Sequence, residues 1–206
     1  MKQTIFLLLF VLVASSAHSQ VVLLDEDQNS VFAYGGYARA QGLSGYSFTL
    51  GVTPRGKTDI GFTATALEFN SRRTWDYGQF IQLYVVKPKP NAKAAYFSII
   101  ESLQLISSSP QGAKSNLTLI LGGMFEAKSK PSPNSSVVLS VGMLWTIPTR
   151  RGVESFPSLP LQLVIADHFK NIIFSISPSI VVSNDATAYG IGISLSIVGS
   201  KSDRFR

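Results

Sequence analysis

The chain contains no cysteine. No disulfide staples it, no thiolate can hold a metal, and no lipid can be attached through an N-terminal cysteine. Histidine is nearly absent as well: His18 and His168 are the two in 206 residues. Charged residues are sparse, at 15 % of the chain. Beyond the first twenty residues there is no long apolar run and no stripe of apolar residues at helical spacing, which argues against a helical bundle and against membrane-spanning helices.

The one continuous apolar block is "IFLLLFVLVA", residues 5 to 14, preceded by Met1 and Lys2 and followed by "SSAHSQ". Ten residues are too few to span a bilayer, which takes roughly 20 as a helix. A basic start, a short apolar centre and small residues at Ala17 and Ser19 have the layout of a secretory signal peptide. Residues 1 to 19 are therefore expected to be removed before Gln20. The remaining 187 residues suit a single domain, 20 to 206, and losing Lys2 lowers the net charge from +6 to +5. Two sequons, at Asn116 and Asn134, are short enough to arise by chance.

What is present instead is alternation. In "AYGIGISLSIVG", residues 188 to 199, Tyr189, Ile191, Ile193, Leu195 and Ile197 take every second position, with Ala, Gly and Ser between them. Val137, Leu139, Val141, Met143, Trp145 and Ile147 repeat the pattern. A period of two marks a strand with unlike faces. Strands are expected near 31 to 40, 43 to 52, 59 to 68, 77 to 86, 94 to 106, 116 to 126, 136 to 147, 160 to 167, 171 to 182 and 187 to 198. The joints between them, such as "TPRGKT", "KPKPNAK" and "KSKPSPNSS", have turn composition. The fold class is all-β.

Charge follows these boundaries. Of the 17 basic residues after residue 19, all but Arg39 fall in the expected turns and tails. A soluble β-domain spreads Lys, Glu and Asp along its outward positions; these strands carry almost none on either face. The basic residues are also scattered over many turns and form no groove with interleaved aromatics, which argues against nucleic acid as a partner.

With its export signal, about ten alternating segments and no cysteine, the chain resembles the small outer-membrane β-barrel proteins of bacteria, and its signal ending in a small residue before Gln is similar to those of Bacteroidota. The resemblance implies a closed antiparallel up-and-down barrel of about ten strands, with eight as the near alternative. It implies outer-membrane lipid and the outer-membrane assembly machinery as partners. Lipid offers the backbone no hydrogen bonds, so strands must close on themselves, apolar side chains outward and small ones in a crowded lumen. The implied role is structural or that of a narrow passive pore, in the outer membrane and without enzymatic activity. A second reading is a secreted or periplasmic soluble barrel or sandwich that binds an apolar ligand.

Chemistry-bearing constellations are few. No cofactor, metal or catalytic residue is expected. His168, in "ADHFKN", stands beside Asp167, but neighbours in a strand point to opposite faces, so adjacency is not contact. It reads as a turn histidine. The aromatic residues Phe32, Tyr34, Tyr37, Tyr46, Trp75, Tyr77, Phe80 and Tyr84 read as girdle residues at the membrane surface, although a sandwich core or a carbohydrate-stacking face would use the same types. The candidate lumen residues are Arg39, Glu101 and Gln104. Glu101 shares its phase with Phe97, Ile99, Leu103 and Leu105, the face assigned to lipid. A bulge at Ile99 and Ile100 is expected to turn it inward towards Arg39.

Overall fold

The computed structural model describes residues 23–24, 28–41, 43–69, 72–86, 94–107, 116–149, 154–184 and 186–199. The expected leader and the tail after Gly199 lie outside them. Ten strands follow one another: β1 (Ser30–Ala40), β2 (Leu43–Thr53), β3 (Thr58–Phe69), β4 (Arg72–Val86), β5 (Ala94–Ser107), β6 (Asn116–Ser132), β7 (Ser135–Pro148), β8 (Phe156–Phe169), β9 (Ile172–Ser183) and β10 (Thr187–Val198). Each pairs antiparallel with the strand before and after it, and β1 pairs with both β2 and β10, so that the order closes on itself. Ser30 to Arg39 face Val198 to Tyr189 on one side and Thr53 to Ser44 on the other without a slip. A strand paired on both edges leaves no row of open N–H and C=O groups. Among the described residues no helix is long and apolar enough to cross a membrane.

The barrel has two unlike ends. At one lie the start of β1, the end of β10 and the turns after β2, β4, β6 and β8; this is called the terminal end below. At the opposite end lie the turns after β1, β3, β5, β7 and β9. The turn after β2 is a single 3-10 turn, Pro54–Gly56, in which Arg55 and Gly56 both take a positive φ of 54°. Proline opens it and glycine tolerates the left-handed geometry at its close.

Most strand boundaries fall within two residues of those expected from the sequence. Three strands run further: β4 starts at Arg72, β6 continues through Lys128 and Lys130 to Ser132, and β8 starts at Phe156 ahead of Pro157 and Pro160. Charge and proline suggested turns there. A paired strand continues through them because proline lacks only one ladder donor and an exposed rim position such as that of Lys130 tolerates charge. Around Pro160 the β7–β8 ladder skips two pairs, between Val141↔Leu161 and Leu144↔Ser158, and resumes in the same register.

Candidate functional site

Alternation becomes geometry most clearly in β10. Tyr189, Ile191, Ile193, Leu195 and Ile197 are about half exposed on the outside, between 47 % and 60 %, while Ala188, Ser194 and Ser196 are buried at 3 % or less. The same holds around the barrel: every strand places large apolar side chains outward, among them Phe48 and Leu50 on β2, Phe62 on β3, Leu83 on β4, Ile99 on β5, Phe125 on β6, Met143 on β7, Ile165 on β8 and Ile176 on β9. Among the described side chains of the strands, the exposed charges sit only near the two rims. Arg39 and Glu68 are at the turn-rich end, and Lys130 and Asp167 are at the terminal end. Among the described side chains, the exposed tyrosines and tryptophans, Tyr37, Tyr46, Trp75, Tyr77, Trp145 and Tyr189, lie in the half of the barrel away from the terminal end. Tyr37 and Tyr46 meet across β1 and β2 with ring centroids 5.1 Å apart, and Tyr77 stacks on Phe62 at 6.3 Å. An amphipathic ring suits a boundary between an apolar phase and water. Phe32, Tyr34 and Phe80, expected with this girdle, point inward and are buried together instead.

The interior is packed. Phe32, Leu67, Phe80, Ile120, Met124 and Leu144 are essentially inaccessible. Several lie over a glycine on the adjacent strand, where a Cβ would collide with them: Phe32 over Gly51, Phe80 over Gly61, Met124 over Gly142 and Leu144 against Gly122. Large side chains thus take the volume that neighbouring glycines leave empty. Small hydroxyls fill the rest in pairs across adjacent strands: Thr49 with Thr63 at 2.8 Å and Ser175 with Ser194 at 2.7 Å. Each pair gives two buried hydroxyls the partner that burial demands.

Two features of the interior were not foreseen. First, charge is present inside. Asp59, Asp76, Glu126 and Lys128 are buried on the inward phase. The Thr53 hydroxyl donates to Asp59 at 2.6 Å and the Ser140 hydroxyl to Glu126 at 3.3 Å. The sequence signal for them is phase: Asp59 continues the series Gly61, Thr63, Thr65, all on the inner face. Second, Leu23 and Leu24 are buried at the terminal end among Val138, Val164, Ala166, Ile173 and Val198, with Tyr84 beside them. These partners belong to β7, β8, β9, β10 and β4. Leu23 and Leu24 therefore sit in the mouth of the barrel.

The candidate lumen residues separate. Arg39 lies on the outward phase of β1, exposed, opposite Tyr189 and Ser44. It is not a lumen residue, because the unbroken β1 register gives it the phase of Val31 and Tyr37. Glu101 is opposite Ile81 and Leu121, both outward residues, and the β4–β5 and β5–β6 pairings run through Ile99 and Ile100 without a slip. The register shift in that ladder falls on β4, between Tyr84 and Val86. The expected bulge at Ile99 and Ile100 is therefore absent, and three strands separate β5 from β1 along the sheet, so Glu101 and Arg39 are not brought together. Gln104 is opposite Gly78 and Thr118, on an inward row. The side chains of Glu101 and Gln104 lie outside the described residues.

His168 belongs to the end of β8 and is partly buried, with Nε2 3.0 Å from the Ser136 hydroxyl. Asp167 points outward and accepts from the Ser135 hydroxyl at 2.8 Å. Adjacent residues thus serve opposite faces, as alternation requires. Ser136 is wholly buried, while His168 keeps part of its surface exposed. Among the described residues no group of three or more His, Asp or Glu side chains is arranged to hold a metal.

No protein-family model matches the chain, and no curated protein matches its sequence. Among solved structures, the translocator domain of autotransporter NalP from Neisseria meningitidis is similar with a TM-score of 0.53, over 90 % of this chain and 92 % of that one, at 9 % identity. The KdgM porin in its complex with oligogalacturonate aligns more loosely, with a TM-score of 0.36 over 80 % of this chain and 97 % of that one, at 12 % identity. At 9 % identity the likeness to the translocator domain is one of fold: an antiparallel, up-and-down, all-β sheet that curls on itself.

Proposed function

We propose that this protein is an outer-membrane β-barrel of ten strands with a closed lumen and a structural, non-enzymatic role. One observation carries the reading: among the described side chains of the strands, the outward rows are made mostly of large, exposed apolar residues, and the exposed charges lie near the rims. In water such a belt would be an aggregation surface far larger than the few hundred Å² that soluble monomers show. In hydrocarbon it is the expected face of a barrel. Packing inside supports a structural role over a pore, because Phe32, Phe80, Met124 and Leu144 occupy the lumen and Leu23 and Leu24 occupy one mouth. A narrow passive pore would require that N-terminal segment to leave. The terminal end would face the periplasm and the turn-rich, aromatic end the outside.

Fractionation and gel migration test the proposal together. The protein is expected with the outer membrane, to need detergent in solution, and to migrate differently on a denaturing gel before and after boiling. In planar bilayers it is expected to show no steady conductance. A monodisperse protein in plain buffer after detergent removal would contradict the membrane assignment, and stable open channels would contradict the closed lumen.

A further inference from the structure

Arg39 is the charge that breaks the outward pattern of β1, and its surroundings are specific. It stands directly across the sheet from Tyr189. The rim between the turn after β1 and the turn after β9 forms an open pocket lined by Arg39, Gln41, Asn184, Thr187 and Tyr189, with small alanines between. A guanidinium flanked by amide, hydroxyl and phenol groups matches the fork geometry and acceptor count of a phosphate. The level is that of the aromatic residues Tyr37, Tyr46 and Tyr189, where headgroups meet the apolar belt.

A second feature lies below the pocket on the same outward face. After Tyr37, whose ring pairs with that of Tyr46 on β2 at 5.1 Å, the next outward positions of β1 are Gly35 and Ala33. Their register neighbours are Ile193 and Leu195 on β10 and Phe48 and Leu50 on β2, all large and exposed. A Cβ placed on Gly35 meets nothing within 4 Å. The outer wall therefore has a short trough one strand wide at Gly35 and Ala33, walled by four apolar side chains, which opens below Arg39, beyond the ring of Tyr37. Its width suits an acyl chain, and a free phosphate would have no use for it.

Resting on the outer-membrane reading, we infer that the Arg39 pocket and the Gly35–Ala33 trough together bind one phosphorylated acyl lipid of the outer leaflet, its phosphate on Arg39 and an acyl chain over Gly35. The site lies across the β1–β10 seam, so a bound lipid would also bridge the two strands that close the barrel.

The test is native mass spectrometry of the full protein released from detergent, titrated with bisphosphorylated lipid A, with diacylglycerol, and with inorganic phosphate. Lipid A is expected to be retained in preference to both other probes. Arg39→Gln is expected to weaken that retention about fivefold, the scale of one cation at a lipid surface, and Arg39→Lys less. Gly35→Leu fills the trough without touching the charge and is expected to weaken lipid A binding while the heat-shifted gel band stays unchanged. Equal retention of lipid A by wild type, Arg39→Gln and Gly35→Leu would overturn the inference, as would retention of diacylglycerol on a par with lipid A. Release of lipid A by millimolar inorganic phosphate would overturn it too, leaving a small-anion pocket. Failure of the outer-membrane reading shows separately, as protein that stays monodisperse without detergent before any lipid is added.

Discussion

The ring of Tyr34 on β1 lies across Gly192 on β10, in the space that any Cβ at that position would occupy. These are the strands that close the barrel, so the contact fills the interior side of the seam. Tyr34 is also packed over Gly36 and near Ser47 on β2, and it shares its cluster with Phe32 and Phe80. Gly192 in "AYGIGISLSIVG" thus answers to a partner on another strand, more than to any need for backbone freedom.

Gly192→Val is therefore expected to force Tyr34 aside and loosen the seam. Overpacking a filled core costs about 1–3 kcal/mol. Urea unfolding in detergent micelles should show that loss, and the unboiled gel band should soften at lower temperature. Gly35→Val, on the outward face of β1 where a Cβ meets nothing, should leave both unchanged.

The N-terminal segment gives a second expectation. Leu23 and Leu24 are buried in the mouth of the terminal end. Replacing both with Asp places charge among Val138, Val164 and Ile173, where it has no favourable site. The segment should then leave the mouth. Protease added to the detergent-solubilised variant should trim the N-terminus faster than in wild type, and brief conductance events should appear in bilayers where wild type gives none.

The buried Thr53–Asp59 pair predicts a different signature. Thr53→Val keeps the shape but removes the 2.6 Å hydrogen bond to a buried carboxyl group. Leaving a buried acceptor short of a donor costs about 1–3 kcal/mol. Chemical unfolding should show a loss of that size, with the strand content by circular dichroism unchanged.

Processing is a fourth expectation. Intact mass from the native host should correspond to a chain starting at Gln20, three residues before Leu23. Mass that includes Met1 to Ser19 would overturn the export reading.

How much of this could be read beforehand depends on the residue. The phase of β10 and β7 was legible because alternation there is unbroken, and boundaries set by turn residues, such as those of β1, β2 and β10, fell within one residue. The extensions of β4 and β6 were not, because Arg72, Arg73, Lys128 and Lys130 look like turn residues until the rim of the barrel is placed. Asp59 and Glu126 stand at the edges of the expected strands, where a carboxylate reads as exposed by default, and only the inward phase of the strand shows otherwise. Arg39 reads as a lumen residue only as a partner for Glu101, whereas its phase with Tyr37 puts it outside. Leu23 and Leu24 carried no signal, since two apolar residues have no period.

The absence of cysteine permits the measurement that bears most directly on the whole account. Ile193→Cys and Ser194→Cys, each carrying a nitroxide label, place probes on adjacent residues of β10 in a protein reconstituted into lipid vesicles. If the outward face is the lipid face, the label at 193 will relax strongly with dissolved oxygen and weakly with a water-soluble nickel chelate. The label at 194, in the packed lumen, will respond little to either. A label at 193 that responds chiefly to the water-soluble chelate, or a pattern inverted between 193 and 194, would contradict a lipid-facing belt.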